Sequence, residues 1–294
     1  MSSVDGFLLL RKPTDVTSFQ ALTPIKRLFP GTKVGHTGTL DRFAEGLLVV
    51  LCGRMTRLTP LLTGLDKEYV GEIFFGRETD TLDPEGEVTC EGPIPSREQV
   101  IRAIDNFVGE IEQIPPQYSA IHVAGERAYR AARAGRTVAI AARTVKIDAI
   151  ELFDYDPPVA KVRVECSSGT YVRALARDIG RAAGSCAFLS SLLRTRVGPF
   201  ALENAARPEG LTGASDLLTW TDCLGRLPQI AQLRAKEAAV ARILAGGRIS
   251  DLDLDPTPPD GKAAIYGPKG EFLALTERRN GEYRYELVAS PTRD

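Results

Sequence analysis

The chain is poor in the residues that build metal centres and disulfide frameworks. Its 294 residues include two histidines and five cysteines. Cys52, Cys90, Cys166, Cys186 and Cys223 are scattered, and none forms a CxxC pair. Neither a zinc site nor a disulfide framework is indicated. No cluster of histidine, cysteine and acids has the spacing of metal ligands, so no metal is expected. No apolar run approaches transmembrane length, and the start Met1-Ser2-Ser3-Val4-Asp5-Gly6 lacks a charged leader and a cleavage site. A reducing cytoplasm fits this pattern best, and a membrane is not expected as a partner. Charge of neither sign dominates: 37 basic residues stand against 38 acids, a net charge of −1. That excludes a protein coated in positive charge for nonspecific nucleic-acid binding. Internal repeats and low-complexity tracts are also missing.

What is present centres on the stretch from Lys33 to Leu51. Its first half is a polar loop, Gly35-His36-Thr37-Gly38-Thr39-Leu40-Asp41; its second, from Gly46, is an apolar run ending at Cys52 that reads as a buried strand. Gly35 and Gly38 let the backbone turn or approach a ligand closely. The loop chemistry alone allows two readings. Asp41 is either a catalytic carboxylate on a rigid support, or a turn residue capping a backbone amide with His36 solvated.

Around this centre, Phe7 to Leu10 reads as an opening strand closed by Arg11-Lys12-Pro13. Ser18 is placed to cap a helix through Phe19, Leu22, Ile25 and Leu28 that stops at Pro30-Gly31. Taken alone, Lys12 is a surface lysine. Lys67 to Phe75 alternates as a half-buried strand, followed by a hairpin connection from Gly76 to Gly86. The acids Asp80, Asp83 and Glu85 there have the chemistry of a turn and not the spacing of an EF-hand. Ser96 begins a capped helix with Val100, Ile101, Ile104 and Phe107 on one face. Between Glu126 and Lys146 lie six basic residues and one acid. Arg127, Arg130 and Arg133 recur at helical spacing, with Tyr118 and Tyr129 as possible stacking partners for RNA bases; a solvated alanine-rich helix is the plainer alternative. Lys161 to Cys166 reads as a strand leading into Ser168-Gly169-Thr170-Tyr171-Val172-Arg173 and a helix. Composition changes near Leu227-Pro228. A short helix, Ala235 to Leu244, then precedes strands at Ala263–Tyr266 and Phe272–Leu275.

The string Gly35-His36-Thr37-Gly38-Thr39-Leu40-Asp41, with Ala44 and Gly46-Leu47-Leu48, resembles the catalytic motif of the TruB family of tRNA pseudouridine synthases. Further motifs follow in the family's order from about Phe7 to Phe200: Lys12-Pro13 with Thr17-Ser18, the Thr79–Gly86 turn, Ser168–Arg173, and Leu192-Leu193-Arg194-Thr195-Arg196-Val197-Gly198. The chain departs from the family's usual residues at Asp15, Arg42, Phe43, Glu45, His122 and Leu193. The resemblance implies an α+β fold, a mixed, largely antiparallel sheet flanked by helices. It places a catalytic domain at 1–228, with an RNA-gripping insertion at about 105–146. A small β-rich, PUA-like RNA-binding domain is expected at 229–294.

The activity it implies is isomerisation of uridine to pseudouridine in the T arm of tRNA, conventionally position 55, after the base is flipped out. Nothing is oxidised or added, so no cofactor is expected. Asp41 would be the nucleophile, attacking ribose C1′ or base C6, and Arg173 would hold it ionised and aimed. Tyr69 would stack on the base or take part in proton transfer. Leu192 and Tyr171 would wall the pocket, and His36 would occupy the vacated space or stack on a neighbouring base. Thr37 and Gly38 belong to the substrate loop, Lys12 stands beside it as support and substrate contact, and Arg127, Arg130 and Arg133 would grip the RNA. The tRNA T stem-loop is the expected partner of a monomer that needs no other protein. A guide-RNA-dependent relative and a tRNA-folding chaperone with incidental catalysis are the alternatives. The insertion favours the stand-alone type over the first. Retention of Asp41, Tyr69 and Arg173 disfavours loss of catalysis.

Overall fold

The computed structural model describes residues 4–119, 121–123, 125–257 and 259–289. Its strands in chain order are β1 (Gly6–Lys12), β2 (Val34–His36), β3 (Glu45–Cys52), β4 (Lys67–Phe75), β5 (Arg77–Thr79), β6 (Val88–Glu91), β7 (Gly109–Gln113), β8 (His122–Val123), β9 (Glu126–Arg127), β10 (Arg143–Asp156), β11 (Val159–Cys166), β12 (Ala187–Val197) and β13 (Phe200–Ala201). Five more follow: β14 (Ala231–Ala235), β15 (Leu254–Asp255), β16 (Gly261–Tyr266), β17 (Phe272–Arg279) and β18 (Glu282–Val288). The helices are α1 (Ser18–Ala21), α2 (Thr23–Leu28), α3 (Thr59–Thr63), α4 (Arg97–Asp105), α5 (Ala128–Arg133), α6 (Val172–Ala182), α7 (Trp220–Leu224) and α8 (Glu237–Leu244).

Nine strands form the main sheet, in the order β1-β3-β12-β4-β11-β10-β7, with β2 on β3 and β13 on β12. Every pairing is antiparallel except the short seam where β3 meets β12, Glu45 opposite Leu193 and Gly46 opposite Arg194. The expected α+β class with a mixed, largely antiparallel sheet is what forms. A second sheet, β15-β14-β16-β17-β18, makes the small C-terminal β unit.

Burial explains the strand patterns. β1 and β3 are continuously apolar because both faces are covered. Leu8, Leu10, Leu48 and Val50 pack on one side against Leu22, Ile25 and Phe29. Phe7, Leu9, Leu47, Val49 and Leu51 pack on the other against Met55, Leu62, Phe200 and, from the second sheet, Ala264, Tyr266 and Leu287. On β4 the alternate residues Tyr69, Gly71, Ile73 and Phe75 are buried, as the period-two pattern predicts. Tyr69, Ile73 and Phe75 share a core with Ile104 of α4 and Leu175 and Ile179 of α6.

Several local expectations change. Thr17, not Ser18, caps α1, in a capping box with Gln20. The helix then breaks at Leu22, because Pro24 restarts it as α2. Ser96 caps α4 in a capping box, but Ile101 is 41 % exposed and faces away from the core. The short C-terminal helix begins at Glu237; Ala235 closes β14. Arg127 is not helical. The turn at Gly125 folds Glu126–Arg127 back on His122–Val123, and the helix starts only at Ala128. Cys90 and Cys186, 96 residues apart, are joined in a disulfide that ties β6 to the residue before β12. Sequence spacing could not show this pair, because only the fold brings the two segments together.

Candidate active site

The loop carrying Asp41 is fixed from three sides. Its start is strand β2, where His36 lies opposite Val50 and the Thr37 amide donates to the Val49 carbonyl at 3.1 Å. Its middle is tied by Ser18. The Ser18 hydroxyl accepts from the Leu40 amide at 2.9 Å and donates to the Leu40 carbonyl at 3.0 Å, gripping the residue before Asp41 on both sides. Its end is Gly46, with φ +119°, in the seam against β12. A Cβ there would lie 2.4 Å from the Arg194 carbonyl oxygen. Only glycine fits, and the seam that closes the sheet depends on it.

Lys12 is not a surface lysine. It is fully buried, and its ammonium donates to the Pro13 carbonyl at 2.8 Å and the Val16 carbonyl at 2.7 Å, with Arg42 O at 3.4 Å. Burial lowers its pKa to about 8, against the pull of Asp41 and Asp15. Its donors are turned to backbone, so it braces the loop and is not open to substrate. Asp15 itself takes φ +63°, a left-handed position that aspartate tolerates. The departures Arg42 and Glu45 have partners of their own. Arg42 donates to the Asp15 carbonyl at 3.1 Å, and Glu45 pairs with Arg11 at 2.6 Å.

Helix α6 delivers Arg173 to this loop. Arg173 is 4 % exposed. Its Nε lies 2.8 Å from Asp41 Oδ2, and a terminal nitrogen donates to Asp41 Oδ1 at 3.0 Å. The other terminal nitrogen donates to Asp83 Oδ2 at 3.1 Å and to the Thr81 carbonyl at 2.7 Å. The Tyr118 carbonyl completes the cage at 3.0 Å. The fork thus spans two carboxylates, a geometry a lysine cannot reproduce. Desolvation raises the Asp41 pKa, with the Arg173 charge opposing and Asp83 adding to the rise. Asp41 still keeps 37 % of its side chain exposed, so this carboxylate, braced from behind, faces the outside.

Asp83 is the residue that turn chemistry hid. Its carboxylate also accepts from the Thr81 hydroxyl and the Glu85 amide, at 2.6 and 3.0 Å. The hairpin β5–β6 is therefore part of the site and not merely a connection. Two other residues went unassigned. Gln113 is fully buried and clamps Tyr171, accepting from its amide at 2.8 Å and donating to its carbonyl at 3.2 Å. Arg143 stacks over the Tyr171 ring at 4.7 Å. Both lie within the insertion at about 105–146, where no local pattern marks either as a partner of Tyr171.

Tyr69 is buried on β4 directly opposite Arg194, and burial raises its pKa. His36 is lowered by burial first and by Arg194 second, so it is neutral at physiological pH. Leu192 and Phe43 line a cleft of about 260 Å3 together with Thr14, Val70, Gly71 and Leu193. Asp41, Arg173, Tyr69, His36, Thr37, Gly38 and Leu192 are thus drawn to one region, where β2, β4, β12 and α6 converge. Tyr171 is the extended N-cap residue of α6, two residues before Arg173. Arg130 is exposed on α5, while the side chains of Arg127 and Arg133 lie outside the described residues.

The whole fold is similar to a solved H/ACA ribonucleoprotein bound to a substrate RNA containing 2′-deoxyuridine. The TM-score is 0.71 at 24 % identity, covering 98 % of this chain and 86 % of that one. It is equally similar, at TM-score 0.71 and 25 % identity, to a chain of a Cbf5–Nop10–Gar1 complex, over 96 % of this chain and 84 % of that one. Residues 26–172 match the model of the TruB family pseudouridylate synthase N-terminal domain. A tRNA pseudouridine synthase B of Cupriavidus metallidurans is 41 % identical over 297 residues, covering 97 % of this chain and 94 % of the relative. One from Borreliella burgdorferi is 45 % identical over 214 residues, covering 72 % and 76 %. The chain belongs to the TruB family of pseudouridine synthases.

Proposed function

We propose that this protein isomerises uridine to pseudouridine in the T arm of tRNA, at position 55, with Asp41 as the nucleophile. The observation that carries the reading is the Asp41–Arg173 pair: one carboxylate, oriented by a buried fork and still reachable from outside. The uridine is extruded from the RNA loop, at a cost of about a few kcal/mol. Asp41 adds to the nucleoside at C1′ or C6, the C1′–N1 bond breaks, the base turns, C5 bonds to C1′, and the bond to Asp41 breaks to return its free carboxylate. The proton on C5 is then lost and N1 gains one, so the product is an isomer and no redox partner or phosphate donor enters. Arg173 keeps Asp41 anionic against desolvation. Tyr69 contacts the base and takes part in proton transfer, Leu192 and Tyr171 wall it, and neutral His36 stacks in the opening left by the extruded nucleotide.

The RNA is held by the insertion at about 105–146. Arg130 is exposed there, and Arg136 is drawn to Glu126 at 2.9 Å. The insertion favours a stand-alone enzyme over a guide-RNA-dependent one, and we propose that it acts as a cytoplasmic monomer without a protein partner. The second sheet, which starts at Ala231, supports a boundary near 228 and a PUA-like RNA-binding unit from 229 onward. The test is to incubate purified protein with unmodified tRNA transcript, without added cofactor, and to map pseudouridine. A single modified site in the T arm is expected; no modification, or modification only elsewhere, overturns the reading.

A further inference from the structure

Arg173 and Asp83 meet between two elements, α6 and the β5–β6 hairpin. Beyond its last residue, α6 continues through Gly184 and Ser185 to Cys186. The hairpin returns along β6, where Cys90 lies opposite Glu78. Cys90 and Cys186 are bonded, with their Cα atoms 6.2 Å apart. A covalent link thus joins the same two elements that the Arg173–Asp83 pair joins through charge. The hairpin forms a two-stranded sheet of its own, and its other ties to this side are non-covalent. The Gly76 amide donates to the Cys186 carbonyl at 2.8 Å, the Leu189 amide to the Leu82 carbonyl at 3.1 Å, and the Ser185 hydroxyl to the Pro93 carbonyl at 2.6 Å. Arg181 pairs with Glu78 at 2.8 Å. These contacts keep the hairpin docked when the disulfide is open. All four residues of β6 are exposed, so Cys90 is open to small reagents, whereas Cys186 is buried. Cys52, Cys166 and Cys223 are buried and unbonded, and burial pushes each thiol up. The thiolate is the reacting form, so thiol chemistry falls on the Cys90–Cys186 pair. In a reducing compartment such a bond persists only as far as the surrounding thiol pool allows.

We propose that Cys90 and Cys186 form a reversible thiol–disulfide site that fastens Asp83 against Arg173 when oxidised and relaxes that contact when reduced. The oxidant is a small disulfide such as oxidised glutathione. The Cys90 thiolate attacks one of its sulfurs, releasing one small thiolate and leaving a mixed disulfide on Cys90. The Cys186 thiolate then attacks Cys90 Sγ and releases the second. The two protein thiols give up two electrons and two protons, and the small disulfide takes up both as two thiols. Reduced glutathione runs the exchange backward. The effect on turnover rests on the reading above that Asp41 is the nucleophile; the thiol exchange and its effect on the Arg173–Asp83 contact do not.

The test equilibrates the whole chain in glutathione buffers from fully reduced to fully oxidised, then traps thiols with iodoacetamide for peptide mass mapping. The Cys90–Cys186 disulfide should form in oxidised buffer and open in excess reduced glutathione, with Cys52, Cys166 and Cys223 unchanged. The oxidised form should melt higher by about 5 °C or more, because the bond spans 96 residues. Arg173→Met should narrow that gap by about 2 °C or more, because an open hairpin lets the stranded Asp83 reach water and a closed one does not. Single-turnover tritium release from C5-labelled uridine in tRNA should be faster in the oxidised form by about threefold or more, with tRNA affinity held within about threefold. On reduction the acid limb of the release profile should move up by about 0.5 pH or more, because Arg173 opposes the raised Asp41 pKa and is then held less closely. Cys90→Ser should behave as the reduced protein in every buffer; should it not fold, alkylating Cys90 in the reduced native protein makes the same comparison. No disulfide in excess oxidised glutathione, a disulfide that survives excess reduced glutathione, or a melting gap that Arg173→Met leaves unchanged would each overturn the proposal. So would equal release and equal acid limbs in the two forms of an active protein. Release absent from both forms would overturn the activity read at Asp41, and the mass mapping and the Arg173→Met melting gap would still decide the thiol site.

Discussion

Replacing Arg173 with methionine keeps much of the shape and removes the charge that Asp41 and Asp83 share. The two carboxylates are not equally exposed. The Asp83 side chain is 7 % exposed and would keep only its bonds to Thr81 and the Glu85 amide. Stranding one partner of a buried pair costs about 3–5 kcal/mol. Asp41, at 37 % exposure, is screened by water and adds no more than about 1 kcal/mol. Arg173→Met should therefore lose about 4 kcal/mol at pH 7, most of it from Asp83. The assay is urea unfolding of both proteins at several pH values. The uncompensated charge is present above the folded-state pKa of each stranded carboxylate and vanishes as protons bind. The gap between the proteins should thus shrink as pH falls from 7 toward about 4. A gap below about 1 kcal/mol at pH 7, or one that does not change with pH, would refute the buried-pair argument.

Gly46→Ala forces a Cβ to within 2.4 Å of the Arg194 backbone at a φ of +119°. It should cost about 3 kcal/mol and lower the yield of folded protein, read by thermal melting. Alanine at Arg127, Arg130 and Arg133 together should weaken tRNA binding and flatten its salt dependence while leaving the melting temperature in place. An unchanged salt slope would make α5 an ordinary solvated helix. Because desolvation raises the Asp41 pKa, turnover should fall on the acid side at a pH above about 4, where an ordinary carboxylate titrates. The same raised value means that the stability contribution of Asp41 is present below its unfolded pKa and lost as pH rises through the folded one. Asp41→Asn should accordingly be as stable as the unmodified protein at pH 7, or more so, in urea unfolding.

Legibility followed how local the physical cause was. The apolar run of β3, the alternation of β4 and the Ser96 cap are written in a few neighbouring residues, and each formed. The family motifs placed Asp41 and Arg173 on one site because both sit in strings with specific side-chain chemistry. Asp83 was hidden because its own neighbours, Asp-Pro-Glu-Gly, explain it as a turn. Its second role needs α6, some ninety residues further on. Lys12 misled for a related reason: lysine is an exposed residue by default, and only the folded loop supplies the carbonyls that bury it. The Cys90–Cys186 link and the Gly46–Arg194 seam are likewise products of tertiary pairing. β14 and β18 escaped notice because polar and charged residues interrupt their apolar positions, Leu233 and Tyr283, Tyr285 and Leu287.

The most direct test of the central claim is tritium release from C5-labelled uridine in tRNA by the Asp41→Asn protein, alongside a tRNA binding titration. Asparagine keeps the shape of the side chain and its place beside Arg173 but cannot act as an anionic nucleophile. Release should fall by on the order of 10⁴ or more, with binding changed far less, because phosphate contacts elsewhere supply most of the affinity. Release within about tenfold of the unmodified protein would show that Asp41 is not the nucleophile.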